Sequence, residues 1–389
     1  MIFYLFSFLS GFFEIGPMTM ILGLEGVVPL FDVSREPARV WDAARGPAIP
    51  LALGAALCYQ LGNLIPSPLK LSRRAAMVSA ALSVAGFFFF APWGNPGSPW
   101  ILLPAVFFCS AAIQAVRGEI KSQVPQTRKR LVRIFGFGSG FFCSPRLAIA
   151  GAVILFTVIF WDFLRRRRST KRPDLSSAGK RHIEFSSFRF GLLDRAMVFH
   201  QMHFFTYCYI IIIVARQIGG TWMAILVFLP GWFSYTLSEN IYLKIAKGVS
   251  EKHNREEPGE RKSCFPWQIF FVFGHSLLIV LLLGIYLASS LRIQILLWVL
   301  TGLGGTTVFC IKKLKDDWRG EPTVTGCGES QAVAENTGHI IGTLCCMFVC
   351  VTGVRLLYVF PLSAAFTGIT IAMMLISIRR HKDILRRKG

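Results

Sequence analysis

Acid is scarce in this sequence. Asp and Glu together number 21 against 42 Lys and Arg, and the charged types make up only 16% of 389 residues. With 53% hydrophobic residues and 35 Phe, the chain carries more apolar surface than one water-soluble core can hide. Other absences narrow the chemistry. The ten cysteines include no C-x-x-C pair, and most sit inside apolar runs (Cys58, Cys109, Cys208, Cys310, Cys345, Cys346, Cys350), where a thiol acts as a small apolar side chain. No G-x-x-x-x-G-K-[ST] occurs, which excludes transport driven by a phosphate-binding loop of that kind. No H-x-x-x-x-D pair suggests an acyltransferase, and Phe137-Gly138-Ser139-Gly140 departs at its Phe from the G-x-S-G of intramembrane serine proteases. The sequence reads as no enzyme and calls for no cofactor. Its N-terminus lacks the basic region of a cleaved signal peptide, so the first apolar run is expected to be retained.

What is present is a series of apolar runs, most of about 16 to 23 residues and so long enough to cross ~30 Å of hydrocarbon. The expected spans are Phe3–Leu22, Pro47–Ile65, Ala75–Pro92, Ile101–Val116, Leu192–Ala215, Trp222–Tyr242, Phe265–Leu287, Ile293–Ile311, Thr337–Val354 and Leu356–Ile378. One further region, Leu131–Phe163, is too long for one span and carries Ser144-Pro145-Arg146 in its middle. As a single helix it would put Arg165-Arg166-Arg167-Arg168 on the opposite side from Arg117–Arg133, against the positive-inside rule. As two short spans turning at Ser144-Pro145 it leaves all but seven of the 42 bases on the side of the two termini. The seven are Arg35, Arg39, Arg45, Arg146, Arg216, Arg292 and Arg355. The chain is therefore expected to be an all-α polytopic membrane protein of about twelve helices in a cell membrane, inner or plasma, with both ends cytoplasmic. The expected layout is a helical half over 1–164, a basic linker over 165–191, a second six-helix half over 192–378 and a basic tail over 379–389. The net charge of +21 then follows from orientation and implies no nucleic acid.

Two stretches carry a family resemblance. Arg117-Gly118, Val124-Pro125, Arg128, Arg130 and Gly136 follow the order that links the fourth and fifth helices of the major facilitator superfamily of secondary transporters. Lys70, Ser72, Arg73 and Arg74 resemble the basic end of that family's motif between the second and third helices, with Ile65 and Leu69 where the family has Gly and Asp. The resemblance implies gating or anchoring roles for Arg117, Lys70, Arg73 and Arg74, although the missing Asp removes the acidic partner. Gly136 with Gly140, and Gly338 with Gly342, place G-x-x-x-G at corresponding positions of the two halves, a spacing that lets helix backbones approach.

Ionisable residues inside spans are costly and usually face a cavity or a partner. Glu14 and His203 fall about 15 Å into their spans, near the midplane, and His200 is one turn from His203 on the same face. The resemblance places the first, fourth, seventh and tenth helices around the cavity. It implies coupling or substrate-cavity roles for Glu14, His200, Gln201, His203, Gln114 and Thr306, with Thr301 and Thr307 able to add hydrogen bonds. The other reading of Glu14 and the histidines is an internal contact that only holds helices together. Glu239, Asn240, Glu335 and Asn336 read as interfacial residues, and His275 as a lone histidine with a satisfied structural bond. Zinc wants four ligands, and no Cys, Asp or third His is evidently placed to complete the pair, so no metal is expected. The expected function is proton-coupled secondary transport of a small organic solute, its partners being the lipid bilayer, the solute and protons. No obligate protein partner is evident. The alternative is a transporter-like protein acting as receptor or scaffold.

Overall fold

The computed structural model describes residues 2–24, 41, 48–64, 72–90, 99–119, 126–168, 190–256, 265–304, 307–318, 321–326 and 330–388. Among these there is no strand. The main helices are α1 (Ile2–Leu24), α2 (Ala48–Leu64), α3 (Arg73–Phe90), α4 (Leu102–Glu119), α5 (Gln126–Gly140) and α6 (Pro145–Arg168). They continue as α7 (Leu192–Glu256), α8 (Phe265–Leu287), α9 (Leu291–Thr301), α10 (Thr307–Asp317), α11 (Ser330–Val351) and α12 (Val359–Lys388). Eight of the described helical segments are long and apolar enough to cross a bilayer. Three shorter apolar segments, Ala48–Leu64, Leu102–Val116 and Leu291–Gly304, accompany them. Lys70, Thr306 and residues 169–189 of the expected linker lie outside the described residues.

The chain divides into two compact units, Met1–Val27 with Gly46–Ser187, and Val28–Arg45 with Phe188–Gly389. In the first, α1 packs against α5, α2 and α4, while α3 packs on α4 and α6. The apolar stretch of α1 is 89% buried, against 28% for α3 and α6. Phe88, Phe89 and Trp161 are correspondingly exposed, as side chains that meet hydrocarbon should be. The long region 131–163 folds as two helices. The backbone turns at Phe141–Ser144, where Cys143 N–H donates to Gly140 O at 3.0 Å, and Pro145 opens α6 at the position that needs no amide donor.

In the second unit α7 packs against α11 and α12, and α8 against α12, α9 and α10. Two non-helical residues divide α7 into two spans. Gly220 has φ +68°, a left-handed conformation that glycine alone adopts freely, and with Gly219 it lets the chain turn between the segments Leu192–Gln217 and Gly219–Ala246. The first is 83% buried and the second 17%, with Trp222, Leu226 and Phe233 outermost.

The expected tenth span, Ile293–Ile311, is not one helix. α9 ends at Thr301, a short 3-10 turn covers Gly302–Gly304, and α10 begins at Thr307. Carbonyls at the break are served from the second arm of α7: Ser234 Oγ donates toward Val299 O at 2.5 Å and Ser238 Oγ toward Gly302 O at 3.0 Å. In an apolar solvent such freed backbone groups must find partners inside the protein.

Candidate functional site

Glu14 sits midway along α1, 8% exposed. Its carboxylate accepts from Arg133 Nη2 on α5 at 2.5 Å, and the guanidinium lies 5.2 Å over the Phe137 ring. Glycines bring these helices together. A side chain added at Gly136 would overlap Phe8 O, and one at Gly140 would come 2.9 Å from Phe12 O. Gln114 is half-buried on α4, Arg117 lies in that helix's last turn, Arg74 is exposed, and Arg73 pairs with Asp162 of α6 at 3.6 Å. That last pair gives Arg73 an acid from a different helix than the family motif would supply.

His200 and His203 are buried in α7, and a third imidazole joins them. His203 Nε2 lies 3.1 Å from His200 Nδ1, which lies 3.2 Å from His275 Nε2 on α8. The expectation that no third histidine stands near the pair is overturned, because helix packing closes a gap of 75 residues in sequence. His275 does have the structural bond expected of it: since a carbonyl can only accept, its Nδ1 donates to Phe271 O at 2.8 Å. Gln201, 7% exposed, packs beneath Gly338 and donates to Met197 Sδ at 3.8 Å. Thr301 is buried at the end of α9, with its hydroxyl bonded to Trp298 O at 2.6 Å.

Aromatic contacts run from this cluster to a cavity of about 620 Å³. His203 stacks on Tyr207, Tyr207 lies against Phe360, and Phe360 meets Trp41 edge-on at 5.3 Å. Trp41, Trp298, Phe360, Met223, Gln294 and Arg292 are among the lining residues. Gln294 orients the wall, accepting from Trp41 Nε1 at 2.9 Å and donating to Ile285 O at 3.1 Å. Largely apolar walls with few polar groups suit an organic molecule. Sequence reading missed Trp41, Gln294 and Trp298: a tryptophan between spans and a lone glutamine carry no periodic signal.

A buried polar network was also missed. Asp194 is fully buried in the first turn of α7; Lys315 of α10 reaches it at 2.5 Å, Ser330 Oγ of α11 donates at 2.6 Å, and Gly191 N–H donates at 3.2 Å. Nearby in the same unit His381 pairs with Glu321 at 2.7 Å and stacks on Trp318. Glu335 meets Lys312 at 3.6 Å, the pairing with a nearby base expected of it.

Buried ionic pairs, an interrupted helix and a cavity of small-molecule size are features that transporter folds use. The chain is a multi-pass helical membrane protein with a divergent major-facilitator-like fold. It is similar to the crystal structure of a mutant of the nucleoside transporter NupG, at TM-score 0.52 and 12% identity, covering 96% of this chain and 98% of that one. A second NupG crystal structure gives a TM-score of 0.49 at 12% identity over 97% and 96% of the two chains. No protein-family model matches the sequence, and no curated protein sequence does.

Proposed function

We propose that this protein is a secondary transporter that moves a small organic solute by alternating access, with protons as the coupling ion. The observation that supports this most is the Glu14–Arg133 pair, a buried carboxylate held by one guanidinium inside a transporter-like fold. A buried carboxylate persists in its charged form only with a partner, so each proton that Glu14 takes weakens its bond to Arg133 and alters which arrangement of helices is preferred. The solute class is a neutral or cationic molecule with a flat ring that can stack on Trp41, Trp298 or Phe360. Nucleosides, which the similar NupG carries by its name, belong to that class.

Reconstituted full-length protein under an imposed proton gradient, offered nucleosides and neutral and cationic aromatic solutes, tests the proposal. Glu14→Gln keeps the shape and can still bond to Arg133 but cannot release a proton. It should abolish accumulation against a gradient while sparing solute binding and exchange. Accumulation by Glu14→Gln equal to wild type would remove Glu14 from the mechanism. Absence of flux for every solute, in folded protein, would favour a receptor or scaffold.

The proposed topology has twelve crossings with both termini cytoplasmic. α2, α4, α5 and the interrupted α9–α10 cross as short segments, which local bilayer thinning accommodates. In a cysteine-free background, single cysteines at Ser177 and Lys252 should be shielded from an impermeant thiol reagent in intact cells, and one at Ser34 should react. Labelling at Ser177 would break this topology.

A further inference from the structure

We propose that His200, His203 and His275 form a binding site for one divalent transition-metal ion of the zinc class, resident in the second unit and independent of what is transported. Their three donor nitrogens, Nδ1 of His200 and Nε2 of His203 and His275, lie within 4.8 Å of one another. A tetrahedral ion with bonds of 2.0–2.1 Å to imidazole separates its ligand atoms by about 3.3–3.4 Å. Two of the separations here, 3.1 and 3.2 Å, are already close to that value, and the third, within 4.8 Å, is brought to it by a small rotation of the His203 or His275 ring.

Proton bookkeeping favours a cation over hydrogen bonds alone. The proton of His275 is committed to Phe271 O, so its Nε2 presents a lone pair to the cluster. His200 Nδ1 faces both His203 Nε2 and His275 Nε2 with either one proton or one lone pair, so it cannot satisfy the two of them together. A metal ion accepts all three lone pairs at once, with the ring protons on the nitrogens that face away. The bond from His275 to a backbone carbonyl is the outer contact that commonly sets the tautomer of a metal-binding histidine. Phe271, stacked on His275 with ring centres 4.2 Å apart, supplies an apolar shell. Three neutral ligands leave a fourth position open, and a bound hydroxide there would lower the charge held among the helices. The ion would tie α7 to α8 through their side chains.

The test uses full-length protein in detergent, stripped with a chelator and with its thiols alkylated. Co(II) titration should give the visible spectrum of a four-coordinate nitrogen and oxygen site with one equivalent per chain. Zn(II) should displace the Co(II) and raise the melting temperature. His203→Gln and His275→Gln should each weaken Co(II) binding by at least tenfold. Either no uptake by the wild-type chain or uptake unchanged in both variants would overturn the proposal. Should a variant fail to fold, the wild-type spectrum and the Zn(II)-induced melting shift decide alone.

Discussion

Asp194→Ala should be among the most damaging side-chain truncations in this chain. The carboxylate is fully buried and holds together three elements: the start of α7 through Gly191 N–H, α10 through Lys315, and α11 through Ser330. Removing it leaves the Lys315 ammonium, only 11% exposed, without its charge partner and with a neutral hydroxyl 3.5 Å away. Breaking a buried ion pair from one side costs about 3–5 kcal/mol, because the surviving charge stays desolvated. That is a large share of what holds a typical folded domain together. The expected result is a sharp fall in folded yield and in melting temperature, read by size-exclusion profile and thermal unfolding in detergent. Asp194→Asn should do nearly as much harm, since the amide keeps the shape but not the charge. Asp194→Leu combined with Lys315→Met should recover much of the loss, because it removes both charges together. A double variant no better than Asp194→Leu would show that the Ser330 and Gly191 bonds matter more than the ion pair.

Next in size come the glycines at the helix crossings. Gly136→Ala places a methyl on Phe8 O, and Gly338→Ala places one on Val198 O, with Gln201 Cβ 2.6 Å away. These obstacles are backbone, not the far end of a flexible side chain, so the helices must separate along their length. Overpacking of this kind costs about 1–3 kcal/mol, and separation forfeits further close contacts that drive helix association in lipid. Each alanine variant should melt lower, and Gly136→Leu or Gly338→Leu should not assemble. Gly138 and Gly368 are the controls, since an added side chain there meets nothing within 4 Å. Alanine at either should be neutral or slightly stabilising, as glycine is a poor helix former. Equal losses at Gly136 and Gly138 would mean that backbone flexibility, not close approach, is what these glycines provide.

Much of the architecture was legible because it follows from quantities measured along the chain. Run length against bilayer thickness located the helical segments, and the distribution of bases favoured a turn at Ser144-Pro145, which the backbone makes at 141–144. The four-residue spacing of Gly136 with Gly140 and of Gly338 with Gly342 marked two faces that helices approach closely. The interruption after Thr301 was not foreseen. An apolar run containing several glycines looks continuous until hydroxyls on another helix are in place to serve its carbonyls.

Pairing was another matter. Glu14 and His203 stood out for their depth, but Arg133 answers Glu14 from 119 residues away, and His275 joins His200 and His203. Asp194 gave no signal in the sequence, and Lys315, 121 residues on, closes against it. By itself the sequence determined which groups would need partners, because lipid offers none and every buried charge or freed carbonyl must be satisfied inside the protein. Which partner each found was decided only in the tertiary structure. That choice depends on the rotation and register of one helix against another, and those are set by glycine contacts and close-packed side chains that no single stretch of chain contains.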